Sequence, residues 1–225
     1  MSTGRGYGAR RREPLSRDRI IRAAIELADR DGLDAVAMRR LGQQLGVEAM
    51  SLYKHVADKE DVLAGMADRV AEQFEHPASE LDWQSAIRAS SIAAHEILQR
   101  HPWAASLMES TLKPGPARLA YLDAVIGVLR AAGFSIVDVA HAFGALDSHL
   151  YGFVMQVASW PFDADEVPGI AAEMLSELPV ERYPNLFEMG TMVATREGGM
   201  PLDFTFGLDL LLDGLERRLT GVKPG

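Results

Sequence analysis

The side chains with most to offer chemically lie between residues 38 and 59. Ala49, Met50 and Ser51 fall on the outward positions of the second of two short helices. A helix lying in the DNA major groove presents such positions to base edges. Ala49 and Met50 can touch a thymine methyl, and Ser51 can donate or accept a hydrogen bond. Lys59 falls at the N-terminus of the next helix, where unpaired N–H groups and the helix dipole favour an anion such as a phosphate. Catalytic chemistry has no comparable signal. His141, Asp147 and His149 share one helix, but no serine nucleophile elbow, phosphate-binding loop or H-E-x-x-H motif accompanies them. The chain is not expected to be an enzyme. It contains no cysteine, which removes disulfides and thiolate metal sites. No cofactor and no metal are expected.

The elements that position these side chains can be read from the stretch Met38–Val56. Leu41 and Leu45 are four apart and share one helix face. Gly42 leaves room for a second helix to cross closely, and Gly46 ends the first helix where a left-handed backbone is favoured. Val47, Leu52 and Val56 then supply the buried side of the following helix. Two short helices joined by such a turn form a helix-turn-helix. The bland alternative is a helical hairpin without a ligand, and agreement of small, turn and apolar positions over the whole stretch argues against it.

The rest of the chain reads as helical, with no strand pattern and no internal repeat, so the fold class is all-α. Residues 1–13, with Arg10, Arg11 and Arg12, form a flexible basic arm that either grips phosphates or a minor groove or is an untethered terminus. The first helix starts after the N-cap Ser16, with Leu15 and Ile20 spaced as a hydrophobic staple, and stops at Gly32. The motif helices span about 38–45 and 49–55. Asp58 caps a fourth helix reaching about Phe74, with Asp61 completing a capping box. A junction at 75–81 divides a domain at 14–75 from one at 82–220. There the periodicity predicts helices from Asp82 to Arg100, Trp103 to Thr111, Leu119 to Ala131, Ser135 to Ser159, 170–178, 184–195 and Asp203 to Leu219, with a mobile loop at 196–201.

Charge divides along the same line. The net charge of −9 argues weakly against a nucleic-acid partner. Residues 1–60, however, hold 12 Lys/Arg against 9 Asp/Glu, and the remainder 11 against 23. A basic module on an acidic body that keeps away from phosphates fits this polarity. No apolar run approaches the ~18–20 residues of a membrane span, and the Arg-rich N-terminus lacks the apolar segment of a signal peptide. No membrane association and a cytoplasmic location are expected.

The order of helix, helix-turn-helix, Leu52-Tyr53-Lys54-His55-Val56 and Asp58-Lys59-Glu60 resembles the tetracycline-repressor (TetR) family of bacterial one-component regulators. Arg100-His-Pro-Trp103 and the segment from Phe206 to Leu215 resemble the ligand-binding domain of its tetracycline-repressor branch. The resemblance implies a dimer on palindromic double-stranded operator DNA, released when an unknown small-molecule effector enters the C-terminal domain. A family member without an effector, or an activator, is the alternative. Arg39 matches a family position that reaches the groove and can pair with guanine; otherwise it is a surface arginine held by Asp34 or Glu48. Tyr53 and Lys54 resemble the family's phosphate-contacting pair, and Tyr53 can also pack on the first helix. His55 sits at the helix end, more often a packing or capping position than a base reader. Family members often carry a longer hydrogen-bonding residue where this chain has Ala49, so adenine reading by an amide is lost there and specificity would lean on Arg39 and DNA shape.

In the second domain, large side chains are expected to wall an effector pocket: Trp103, Leu107, Met108, Leu112, Tyr151, Phe153 and Met155, with His95, His101 and His149 orienting the ligand. Each of these is also suited to plain core. Glu109 and Lys113-Pro114 fall near the matching magnesium-tetracycline region of the family's namesake, but tetracycline sensing is not expected. Phe206, Leu208, Leu211, Leu212 and Leu215 on the last helix, with the helix at 135–159, are expected to form a four-helix dimer interface.

Overall fold

The computed structural model describes residues 13–111, 113–163, 165–196 and 202–221. Most of the basic arm, Leu112 and most of the 196–201 loop therefore lie outside the described residues. Within them the chain forms α1 (Arg17–Asp31), α2 (Met38–Leu45), α3 (Ala49–Leu52), α4 (Lys59–Ala71), α5 (Trp83–Arg100), α6 (Pro102–Ser110), α7 (Pro116–Ala131), α8 (Ile136–Ala158), α9 (Val167–Glu177), α10 (Pro184–Thr195) and α11 (Phe204–Leu219), and no strand.

Local chemistry sets most of these boundaries. The side chains of Ser16, Asp58, Asp82 and Ser135 each accept an N–H of the first turn they precede. Gly32 and Gly46 stop α1 and α2 with φ of 81° and 69°, a region that costs a residue with a Cβ. Pro116 opens α7 three residues before the expected Leu119, because proline at N1 gives up an N–H that would be unpaired anyway. The expected capping box at α4 is modified. Asp58 takes the Asp61 N–H at 2.8 Å, while Asp61 reaches back to Ala57 N rather than to the N-cap itself, and pairs with Arg17.

Helices α1 to α4 form a small head, α5 to α8 and α11 a larger body, and α4 is shared between them. Ile20, Leu27, Leu41, Leu52 and Val62 belong to the same contiguous apolar cluster as Leu98, Met108, Leu129 and Leu208. Phe74, just beyond α4, packs edge-on against Tyr121 of α7 at 5.1 Å. Helices α9 and α10 pack mainly on each other, around a separate cluster of Val167, Ala171 and Val193. No described helix is long and apolar enough to cross a membrane.

Candidate nucleic-acid interface and sensor core

The head places α3 across α2 at close range. A Cβ on Gly42 would sit 2.9 Å from the Val47 carbonyl oxygen and 3.1 Å from Ala49 N. Val47 N in turn donates to the Gly42 carbonyl at 2.9 Å. The inward side is sealed by Leu41, Leu52 and Val56, all buried. Gln44 ties α2 to α1 by donating to the Ala23 carbonyl at 3.1 Å. With its inner face fixed, the pair turns Met50 outward at 75% exposure and Tyr53 at 45%, flanked by half-buried Ala49 and Ser51. The second helix of the motif is shorter than expected, α3 closing at Leu52. Tyr53, Lys54 and His55 form a turn at its end, all three exposed.

Arg39 is exposed and makes no hydrogen bond or ion pair among the described residues, whereas its neighbour Arg40 is held by Asp31 at 2.6 Å. The alternative of Arg39 held by Asp34 or Glu48 is thus not what the structure contains. Lys59 stands where expected, as the first residue of α4. The surrounding N–H groups are less open to a phosphate than the sequence suggested. Asp58 and Asp61 occupy those of Asp61 and Ala57 with their own carboxylates. A phosphate contact there would rest on the Lys59 ammonium.

The head is fastened to the body at two points. Asp29 on α1 accepts from Trp103 Nε1 at 2.7 Å and lies 2.8 Å from His101 Nδ1. Asp68 on α4 accepts the Arg118 backbone N–H at 3.1 Å, holding the first turn of α7, and Gly115 has no room for a Cβ beside that carboxylate. Both contacts flank α6.

These contacts redistribute the expected pocket residues. His101 and Trp103 are spent on Asp29, and Trp103 lines a groove of about 440 Å³ between α1, α6 and the end of α8, not the middle of the body. Leu107 and Met108 are ordinary core. His149 and Phe153 meet elsewhere. The Phe204 ring stacks with both His95 at 4.1 Å and His149 at 4.8 Å, with Phe153 edge-on at 5.6 Å. His149 Nε2 lies 2.9 Å from the Phe204 carbonyl oxygen, and Gly207 leaves room for its ring. Burial holds the His95 imidazole below its ordinary pKa, against an upward pull from Glu96 and with help from His149. His101 with Trp103 and His149 with Phe153 therefore form two separate groups.

The middle of the body holds residues to which the sequence reading gave no place in the pocket. Arg118, Tyr121, Val125 and Leu129 make one buried stripe on α7, so an arginine sits at a core position. Asp147 on α8 is largely buried, and its carboxyl is pushed up to about 6 by that burial, with Arg118 pulling down and Glu109 pushing up. The folded chain thus holds this proton more tightly than the unfolded chain, whose value is near 3.8. The charged carboxylate costs stability above pH 6, and the cost fades as the pH falls from 6 to 4. Asp147→Asn is expected to raise stability at pH 7.5 by up to about 2–3 kcal/mol and to lose that advantage at pH 4. Urea melts at the two pH values check this, and an equal shift at both would contradict it.

On the outer surface, Leu208 and Leu212 are buried in the chain's own core. Their assignment to a dimer face is corrected accordingly: they lie on the side of α11 packed into the body, which contacts α5 and α8. Leu211 and Leu215 pack partly against the same core. The open side of α11 presents Phe206 at 67% and Leu210 at 58% exposure. Beside it, α8 exposes the small residues Ala140, Gly144 and Ser148.

Comparison with known proteins adds a family profile for each domain, two relatives and one solved structure. Residues 20–66 match the family profile described as bacterial regulatory proteins, tetR family, and residues 76–219 match tetracyclin repressor-like, C-terminal domain. The HTH-type transcriptional repressor DrrR1 of Streptomyces coeruleorubidus is 29% identical over 222 residues, spanning 95% of this chain and 82% of that one. The class A tetracycline repressor protein of Escherichia coli is 28% identical over 212 residues, 93% of this chain and 94% of that one. The crystal structure of the Streptomyces coelicolor TetR family protein ActR in complex with (S)-DNPA has a TM-score of 0.75 at 26% identity, covering 94% of this chain and 100% of that one.

Proposed function

The chain belongs to the tetR family of bacterial regulatory proteins, and from that premise we propose that it is a repressor that binds a palindromic operator as a homodimer and releases it when a small molecule enters its body. The observation that carries this reading is the α2–α3 crossing. It is tight enough to require Gly42, and it leaves Met50 and Arg39 exposed, the arginine without a hydrogen bond or ion pair among the described residues.

The division of labour follows from side-chain chemistry. Arg39 has the donor fork that matches guanine O6 and N7, and Ser51 can bond to a base edge. Tyr53, Lys54 and Lys59 suit phosphates, which position the head without reading sequence. Ala49 and Met50 offer apolar contact to a thymine methyl, and His55 completes the rim. A dimer formed through the exposed faces of α8 and α11 would set two recognition helices about one DNA turn apart, ~34–36 Å. Release needs only that an effector favour a different spacing of the heads. The Asp29 and Asp68 contacts on either side of α6 supply a route from body to head. The ligand reading draws on ActR, whose complex with (S)-DNPA shares this fold.

Binding-site selection with variants tests the assignment. Lys59→Ala is expected to weaken binding on all sequences alike, by several-fold, and to lower the salt dependence by about one phosphate contact. Arg39→Ala and Ser51→Ala are expected to change the selected consensus. An altered consensus for Lys59→Ala, or an unaltered one for Arg39→Ala, would contradict it.

A further inference from the structure

A seam of polar side chains crosses the middle of the α5–α8 bundle, and operator binding makes no use of it. Arg118 is 7% exposed. Its Nη1 donates to the Met108 carbonyl, and its guanidinium carbon lies 5.8 Å from the centre of the Tyr151 ring. Its Nε is buried without an acceptor, alone in this among the side-chain polar atoms of the described residues. No ion pair joins Arg118 to a carboxylate among those residues. Buried donors are ordinarily bonded and buried charges ordinarily matched. With Nη1 engaged and no other Arg118 side-chain hydrogen bond of good geometry among the described residues, the edge formed by Nε and Nη2 is the one left to a ligand, beside the Tyr151 hydroxyl. Two parallel N–H groups on that edge match the two oxygens of a carboxylate.

The neighbours describe the rest of the ligand. Tyr151, Tyr121 and Met108 are buried around the seam, and Phe74 packs on Tyr121. The Ser90 hydroxyl donates to the Glu75 carbonyl at 2.6 Å and lies 3.3 Å from the Tyr121 hydroxyl, so the far end of the seam is already satisfied. Aromatic and thioether walls suit a flat ring system. We propose that Arg118 is the anchoring point of the sensor core for an aromatic ligand carrying a carboxylate. The proposal rests on the reading of this body as ligand-responsive and names the class of its effector. The acidic surface does not oppose it, because the arginine's charge at this point is offset only by Asp147, with which it makes no ion pair. Asp147 lies near enough to feel that charge, with Glu109 and Tyr121 acting on the same region. Its raised pKa lets it take up a proton as a second carboxylate arrives.

Titration calorimetry on the full chain tests this with benzoate, 2-naphthoate and anthracene-2-carboxylate, each beside its uncharged amide. The wild type is expected to bind at least one carboxylate about tenfold or more tighter than its amide, as a charge-assisted pair requires. Arg118→Met is expected to bring the two within about twofold, and Arg118→Lys, which keeps the charge but loses the fork, to fall between. Failure of all three carboxylates, equal binding of the amides, or a preference retained in Arg118→Met would overturn the proposal. At pH 5, where Asp147 is mostly protonated, the melting temperature of ligand-free Arg118→Met is expected to stay within about two degrees of the wild type, since removal of an unfilled donor offsets the lost bond to the Met108 carbonyl. A fall of several degrees would assign Arg118 to the fold instead. Operator binding by ligand-free Arg118→Met, expected within about twofold of wild type, separates the two readings. If the wild type itself binds no operator, the repressor reading fails, whatever the carboxylate titration gives.

Discussion

Gly42→Val is expected to abolish specific operator binding while leaving most of the helical signal intact. The new side chain would meet the Val47 carbonyl oxygen at 2.9 Å and Ala49 N and Cα at 3.1 and 3.2 Å. All three are backbone atoms of the turn and of α3, so no side chain can swing away to make room. The turn must open, and the hydrogen bond from Val47 N to the Gly42 carbonyl is lost with it. Overpacking of this kind costs about 1–3 kcal/mol of stability. The functional loss is larger, because Met50, Ser51 and Tyr53 move with α3 relative to Arg39 on α2. Operator affinity is expected to fall on the order of 100-fold or more, equivalent to about 3 kcal/mol. Gly127→Ala is the matched control. That glycine lies on the exposed side of α7, nothing lies within 4 Å of its added Cβ, and alanine favours a helix by about 1 kcal/mol. Fluorescence anisotropy and thermal melts on both variants give the comparison. Wild-type affinity in Gly42→Val would refute the account of the motif.

The double variant Phe206→Glu with Leu210→Glu is expected to be monomeric and to lose about 10³-fold in operator affinity, within the range that linking two binding modules provides. The two residues are four apart on the exposed side of α11, so they share one face. Charge there meets nothing within the protomer and repels its own copy across a two-fold axis. Leu208→Ala and Leu212→Ala make the contrast. Both residues are buried within the chain, and their truncation is expected to cost about 2–5 kcal/mol of stability without selectively splitting a dimer. Sedimentation velocity distinguishes the cases. A dimeric double glutamate variant would place the interface elsewhere.

The parts of this molecule that could be read from sequence are those fixed by neighbours in the chain. Gly42, Gly46 and the Leu41/Leu45 spacing act within one turn of backbone, and the caps at Ser16, Asp82 and Ser135 act within three residues. What escaped reading depends on partners far away. His101 and Trp103 meet Asp29 more than seventy residues earlier, so nothing local distinguishes them from pocket residues. The last helix, from Phe206 through Leu212, is apolar on nearly every side, and its period alone does not tell the face packed on α8 from the open one. Arg118 was legible and missed. It shares a three-and-four spacing with Tyr121, Val125 and Leu129, which puts an arginine on a core stripe.

The account stands on a paired reading of DNA by two copies of α2 and α3. Its most direct test is DNase I footprinting of the purified chain on genomic fragments that it retains, with binding stoichiometry measured by sedimentation on the protected duplex. The account predicts a protected site with two-fold symmetric half-sites, centred one helical turn (~34–36 Å) or a multiple of it apart, and an even number of chains bound. Protection of a single asymmetric site by one chain, or protection independent of sequence, would contradict it.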